Sequence, residues 1–228
     1  GRSIPPDEFI GLAEHTGLIR PLSQFVLQAA IAQAADWRRR GLALRVAANL
    51  AAPNLSEPTL VEEIATLLAD HDLPADLLTV EITEDVIVDE AVRATIDQLC
   101  ALGVHLAIDD FGTGNSSLRQ LGAYPADVLK IDKSFVDRLE DDPRAVAITT
   151  TIVRLARDLG LTTVAEGVET AGQAEVLTRI GCDRAQGWLF ARAMPFDELV
   201  EWCATQLPTR RYGDRHESVA SASSMMRA

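Results

Sequence analysis

Apolar and polar positions along the chain fall into two alternating rhythms. Apolar residues at Phe9, Ile10, Leu12 and Ala13 recur at helical spacing behind Pro5 and Pro6, and Gly17 supplies a stop, so a short helix is expected there. From Leu22 to Arg39 apolar positions return every three or four residues, with Arg38, Arg39 and Arg40 gathered at the far end, where cations suit the helix dipole. After Gly41, "LALRVAANL" reads as a strand, and "LVEEIATLLADHDL", closed by Pro74, as a helix.

The same alternation then repeats. Strand-like "LLTVEIT" leads to helical "EAVRATIDQLCALG", "VHLAID" to a short helix around 117–121, and "DVLKID" to a long helix over 145–159. "TTVAEG" precedes a helix over 170–180, and "CDRAQG" a last helix over 195–207. Strand and helix thus alternate six times at roughly the thirty-residue spacing of a βαβ unit. Such alternation predicts an α/β fold with parallel strands, wound either into a barrel or into an open sheet. Beyond Pro208 the periodicity gives way to "PTRRYGDRHESVASASSMMRA", so a single domain over 1–207 with a disordered tail over 208–228 is expected.

Composition narrows the function classes. The 228 residues, 47% apolar and 24% charged, suit one core of ordinary size. With 21 Lys and Arg against 34 Asp and Glu, the net charge of −13 leaves too few cations for nonspecific phosphate binding, and DNA is not an expected partner. Cys100, Cys182 and Cys203 are widely separated, without a CxxC pair or a zinc-spaced His, which reads as reduced thiols in a cytosolic domain. No apolar run is long enough for a membrane span and no signal-peptide pattern opens the chain. A cytoplasmic domain is expected, whose parent can itself be membrane-tethered. Gly1 is no initiator methionine, which suggests a portion of a longer protein.

Polar residues gather where the expected strands end. Asn49 closes the first, Glu81 the second, Asp109 and Asp110 the third, Lys130 and Asp132 the fourth, Glu166 the fifth and Gln186 the sixth. In a parallel barrel these carboxyl ends share one rim, the face on which active sites are built. A single such group is commonly a helix cap or a satisfied polar residue, but six in succession favour a common site. Asn49, Glu81, Asp109, Asp110 and Glu166 form an all-oxygen set suited to Mg²⁺ or Mn²⁺. One cation or a pair would offset the repulsion between Asp109 and Asp110, and Lys130 would be a fixed cation at the mouth. Together they suit an anionic phosphoryl centre. The glycines of "FGTGNSSL" fit either a tight strand-to-helix connection or a mobile loop whose position affects metal binding, with Glu84 placed to hold it.

The blocks "PPDEFIGLAEHTGLI", "VEITE", "IDDFGTGNSSL", "LKIDKSFV", "TVAEGVET" and "AQGWLF" resemble, in order and spacing, the EAL-type phosphodiesterases of bacterial cyclic di-GMP signalling. The resemblance runs from the first residues to Leu207. It implies a TIM-like (β/α) barrel that hydrolyses cyclic di-GMP to linear pGpG with two Mg²⁺ or Mn²⁺ ions. It further implies metal ligands at Asn49, Glu81, Asp109 and Asp110, with Asp109 bridging the ions. Glu166 matches a ligand also proposed as general base, and Lys130 the lysine that orients the attacking water. Asp132 and Gln186 match polar groups completing the site, Glu84 the anchor of the loop after the paired aspartates, and Glu169 the second glutamate of "EGVET".

The family's Glu-Ala-Leu block does not precede these motifs here. About six of the eight barrel strands are therefore expected, with one early ligand absent, and the open edges that result bear on stability and catalysis alike. Asn115 stands where the family usually has an aromatic, and Ala51 where serine is common. Partners implied by the resemblance are cyclic di-GMP, a second copy in a homodimer, and an upstream sensory or GGDEF domain. Two readings compete with catalysis: a catalytically silent cyclic di-GMP receptor, and a protein-interaction module.

Overall fold

The computed structural model describes residues 6–88, 92–114, 121–122 and 124–206. Helices α1 (Pro6–Thr16) and α2 (Ile19–Arg39) lead into strand β1 (Val46–Asn49). Next come α3 (Ala52–Leu55), α4 (Leu60–Asp70), β2 (Leu78–Thr83), α5 (Arg93–Leu102), β3 (His105–Phe111) and β4 (Val128–Ile131). The remainder is α6 (Lys133–Val136), α7 (Pro143–Asp158), β5 (Thr162–Ala165), α8 (Ala171–Ile180), β6 (Arg184–Ala185) and α9 (Phe196–Gln206). Asn115, most of the short helix expected at 117–121, and the segment 208–228 lie outside the described residues.

All six strands belong to one parallel sheet, in the order β1-β2-β3-β4-β5-β6. Each strand lies beside its predecessor, without the reversal of order that defines an open doubly wound sheet. Of the two windings the sequence allows, the structure adopts the barrel one, as a half-barrel flanked by helices.

The pleat divides each strand between two environments. Leu78, Val80, Ile82, Leu106, Ile108, Leu129 and Ile131 pack outward against Ile31, Ile64, Ile96, Ile152 and Leu177 of the helices. Burying one such side chain contributes about 1.5–3 kcal/mol, so this outer layer supplies most of the folding drive. On the inner face the buried apolar residues are few and small: Ala107, Val128 and Val164. That face is left to polar groups.

Caps move several helix starts away from the sequence expectation. Asp142 accepts a hydrogen bond from the Arg144 amide, and Pro143 fits the first helical position, so α7 begins two residues before 145. Thr170 lies just outside α8, where its hydroxyl and the Gln173 side chain form a capping box. Pro21 sits inside the first turn of α2, where its missing amide costs nothing, and that helix starts at Ile19 instead of Leu22.

Candidate active site

The paired aspartates come together through a break in the pleat. In a regular strand, neighbouring side chains point to opposite faces, and Asp110 would project into the apolar layer. The register shifts between Ile108, which pairs with Leu129, and Phe111, which pairs with Ile131, so three steps on β3 match two on β4. Asp110 takes up the extra residue with a φ of 52°, a left-handed conformation that costs a non-glycine residue about 1–3 kcal/mol. Its amide donates to Asp109 Oδ1 at 3.0 Å. One carboxylate oxygen from each of Asp109, Asp110 and Glu166 then lies within 4.8 Å of the others.

Lys130 projects from the neighbouring strand β4 and is 5% exposed. Its Nζ lies 2.8 Å from Glu81 Oε2, 2.9 Å from Asp109 Oδ1 and 2.7 Å from Glu166 Oε1. Strands β2, β3 and β5 each place one carboxylate around the ammonium. Burial raises the pKa of Glu81 and of Glu166 against the lowering pull of Lys130. Asp110 is raised by burial and by the charges of Asp109 and Asp132. Burial alone would lower Lys130, but Glu81, Glu166 and Asp109 overcome it, and its pKa is raised. The lysine is therefore a permanent cation within an acidic pocket.

Other polar groups brace this centre. Gln186 Nε2 donates to Glu166 Oε1 at 2.5 Å. Glu84, 4% exposed, accepts from the amides of Gly112 at 2.8 Å and Gly114 at 3.2 Å, holding the loop that leaves the aspartates. A side chain at position 112 would meet the Phe135 ring, and the φ of 99° there also favours glycine. Asp132 caps α6 by accepting from the Ser134 amide at 3.0 Å, and its charge acts on Asp110. Asn49 pairs in register with Glu81 and its side chain is exposed. Glu169 is turned toward Lys133 Nζ, at 2.6 Å, and takes no part in the carboxylate cluster.

Three features at or near the sheet ends escaped the sequence reading. Lys133 and Arg192 both lie over the ring of the exposed Trp188, at 5.6 and 4.3 Å from its centroid. At the opposite end of the strands, His105 joins Asp127 at 2.9 Å and Arg45 at 2.9 Å. Asp183 accepts from the Thr163 amide at 2.9 Å and its hydroxyl at 2.7 Å, tying the approach to β6 onto β5. Except for Arg192, four residues from Trp188, the partners are remote along the chain and leave no local sequence signal.

The oxygen donors of Asp109, Asp110 and Glu166 match what a hard divalent ion prefers, and among the described residues they are the acidic group close enough to share one. Asn49 and Glu81 lie on adjoining strands at the same rim. An ion so held would sit beside a fixed ammonium, at a polar mouth open to solvent. This arrangement can draw in and polarise an anionic phosphoryl group.

Comparison with known proteins agrees with the geometry. The EAL domain family model matches residues 1–193. The signaling protein YkoW of Bacillus subtilis is 39% identical over 208 residues, covering 90% of this chain and 26% of that protein. The cyclic di-GMP phosphodiesterase PdeR of Escherichia coli is 38% identical over 201 residues, covering 87% of this chain and 30% of that protein. The chain thus spans about a quarter to a third of these relatives. Among solved structures, the PaMucR phosphodiesterase in complex with c-di-GMP superposes with a TM-score of 0.82 at 43% identity, over 86% of this chain and 81% of that one. No helix among the described residues is long and apolar enough to cross a membrane.

Proposed function

Because this chain belongs to the EAL domain family, we propose that it carries the metal-dependent centre of a cyclic di-GMP phosphodiesterase, opening the cyclic dinucleotide to linear pGpG. The observation that carries this reading is the meeting of Glu81, Asp109 and Glu166 around Lys130, with Asp110 brought alongside by the bulge. Relatives described as cyclic di-GMP phosphodiesterases, and the c-di-GMP complex of a structural neighbour, support the substrate class.

In this proposal Asp109, Asp110 and Glu166 hold Mg²⁺ or Mn²⁺, and Glu81 and Asn49 complete the ligand set of a two-metal site in the full enzyme. A bound dication would lower the pKa of an attacking water and offset charge on the phosphoryl oxygens. Lys130 keeps the carboxylates convergent and orients that water. Glu166, raised by burial, is suited to accept its proton, and Gln186 fixes the carboxylate that does so. Glu84 holds the loop behind Asp110, Asp132 completes the polar rim, and the Glu169–Lys133 pair steadies the turn after Glu166. A sensory or GGDEF domain and a second copy of the domain are the proposed partners in the intact protein.

The test is turnover of cyclic di-GMP in Mg²⁺ or Mn²⁺, read as appearance of linear dinucleotide. Asp109→Ala is expected to lose at least about 100-fold, beyond the 10–100-fold typical of residues that only support a ligand. Near-normal turnover in that variant overturns the role assigned to Asp109. A rise in melting temperature with cyclic di-GMP in Ca²⁺, without turnover in Mg²⁺ or Mn²⁺, would make the chain a receptor instead, and no rise at all would leave the interaction module.

A further inference from the structure

At the end of the sheet away from the carboxylates, a row of hydrogen bonds links the starts of four strands. Arg45 lies just ahead of β1, Asp76 ahead of β2 and Asp127 just ahead of β4, and His105 opens β3. Arg45 Nη2 stands 2.9 Å from His105 Nε2, and His105 Nδ1 stands 2.9 Å from Asp127 Oδ2. Arg45 Nε donates to the Asp76 carbonyl at 3.0 Å. Asp127 is itself fixed: its Oδ2 accepts from the Leu106 amide at 3.0 Å and its carbonyl from the Thr162 amide at 2.9 Å. Strand β1 is four residues long, pairs only with β2 among the described strands and ends on Asn49, so this row steadies the strand that brings Asn49 to the rim.

The chemistry of the partners fixes the protons. A guanidinium carries only donors and keeps its charge in proteins, so Nε2 must meet it with a bare lone pair and accept. The ring proton of a neutral His105 then belongs on Nδ1, where it is donated to the Asp127 carboxylate. A second proton would turn Nε2 from acceptor into donor and set two cations face to face. The ring is 27% exposed, so such a proton can reach it from solvent. Asp127 keeps its bond in either state, whereas Arg45 loses one. Burial weighs most against the guanidinium, followed by the charge of Arg184 on β6, while Asp127 ahead of β4 and Asp76 ahead of β2 favour it.

We propose that Arg45, His105 and Asp127 form a proton-operated latch, in which neutral His105 holds Arg45 and with it the start of β1, and protonation of the ring releases Arg45 while the Asp127 contact stays. The latch lies at the opposite strand ends from the carboxylate cluster and does not depend on the phosphodiesterase reading. Histidine is the side chain that ordinarily changes charge between about pH 5 and 8, which sets the range to be searched.

The experiment is nuclear magnetic resonance of the isotope-labelled full chain between about pH 8 and pH 5. His105 is picked out among the four histidines by the signal lost in His105→Gln. At the upper pH the wild-type ring is expected in its Nδ1–H form, with the Arg45 Nε–H exchanging more slowly than in a free arginine side chain at the same pH. As the ring titrates, that protection should fall at least about tenfold, the loss of one hydrogen bond to a charged group, and return when the pH is raised. His105→Gln retains an acceptor for Arg45 and cannot take up the proton, so its protection should stay constant over the same range. A ring in the Nε2–H form, protection that survives titration of the ring, or an equal fall in His105→Gln overturns the proposal. A ring that keeps one charge state throughout also overturns it, and makes the row a fixed brace. Should His105→Gln fail to fold, His105 is assigned through its bonds, and the wild-type tautomer and protection still decide.

Discussion

Replacing Glu84 tests how the loop behind the aspartates is held. Its buried Oε2 accepts from two backbone amides, those of Gly112 at 2.8 Å and Gly114 at 3.2 Å. A hydrogen bond to a charged acceptor is worth about 1.5–3 kcal/mol net, so Glu84→Ala removes at most about 3–6 kcal/mol. Residues 112–114 are exposed, and water can reach both amides once the carboxylate is gone, which lowers the expected cost to about 2–4 kcal/mol. Glu84→Gln retains an acceptor oxygen and loses the charge, for roughly half that cost, since charge-assisted bonds are about twice as strong as neutral ones.

The direct assay is amide hydrogen exchange at Gly112 and Gly114. At tenfold per 1.4 kcal/mol, Glu84→Ala should speed exchange by about 30-fold to several hundredfold, with Glu84→Gln between it and wild type. Asp110 lies two residues before Gly112 in a conformation that only its surroundings maintain, so the same variants should bind Mn²⁺ more weakly, in the same order. Unchanged exchange at both amides in Glu84→Ala would refute the reasoning, because the loop would then be held without Glu84.

Gly112→Ala places a methyl group 2.8 Å from the Phe135 ring at a φ of 99°, and should destabilise by about 2–4 kcal/mol in urea unfolding; an unchanged midpoint would show that the loop can move aside. Glu166 has its pKa raised by burial, so the folded chain holds that proton to higher pH than the unfolded one. Its contribution to metal-free stability is full below the ordinary carboxylate range of about 4 and is lost as pH rises through the raised value. The melting-temperature difference between Glu166→Gln and wild type should therefore move in the variant's favour as pH rises, and a flat or opposite trend contradicts this. Saturating Mn²⁺ should reverse the order at neutral pH, since it binds the ionised wild type. Asp183→Ala removes the acceptor for the Thr163 amide and hydroxyl and should cost about 1–3 kcal/mol, seen first as faster exchange at Thr163.

Much of this fold is legible in the chain because its strands are short apolar runs that end on a polar residue, and its helices carry a clear period. Glu81, Lys130 and Glu166 could be placed at one rim from that pattern alone. Asp110 could be placed at that rim beside Asp109 as a strand end, but how it gets there could not be read, because a strict two-residue period sends it to the opposite face from Asp109. Only the extra residue in β3, which leaves no mark in composition, brings the two together. The triple pairing of Lys130 is likewise invisible, since its partners are 49, 21 and 36 residues away and meet only once the sheet has formed. Helix starts drifted by one residue at Thr170 and two at Asp142, where a cap decided the boundary ahead of the apolar rhythm, and by three at α2, where Pro21 fits the first turn.

The consecutive strand order carries a consequence for how the chain is born. As it leaves a ribosome, each new strand finds its hydrogen-bonding neighbour already made, so the sheet can grow from one edge without waiting for its last residues. The acidic groups of β2 and β3 come first in the chain, and Lys130, which pairs with Glu81 and Asp109, follows on the next strand. Glu166, its third partner, and Gln186, which holds Glu166, come after it. Lys130 thus lies, along the chain as in the sheet, between the acids it pairs with.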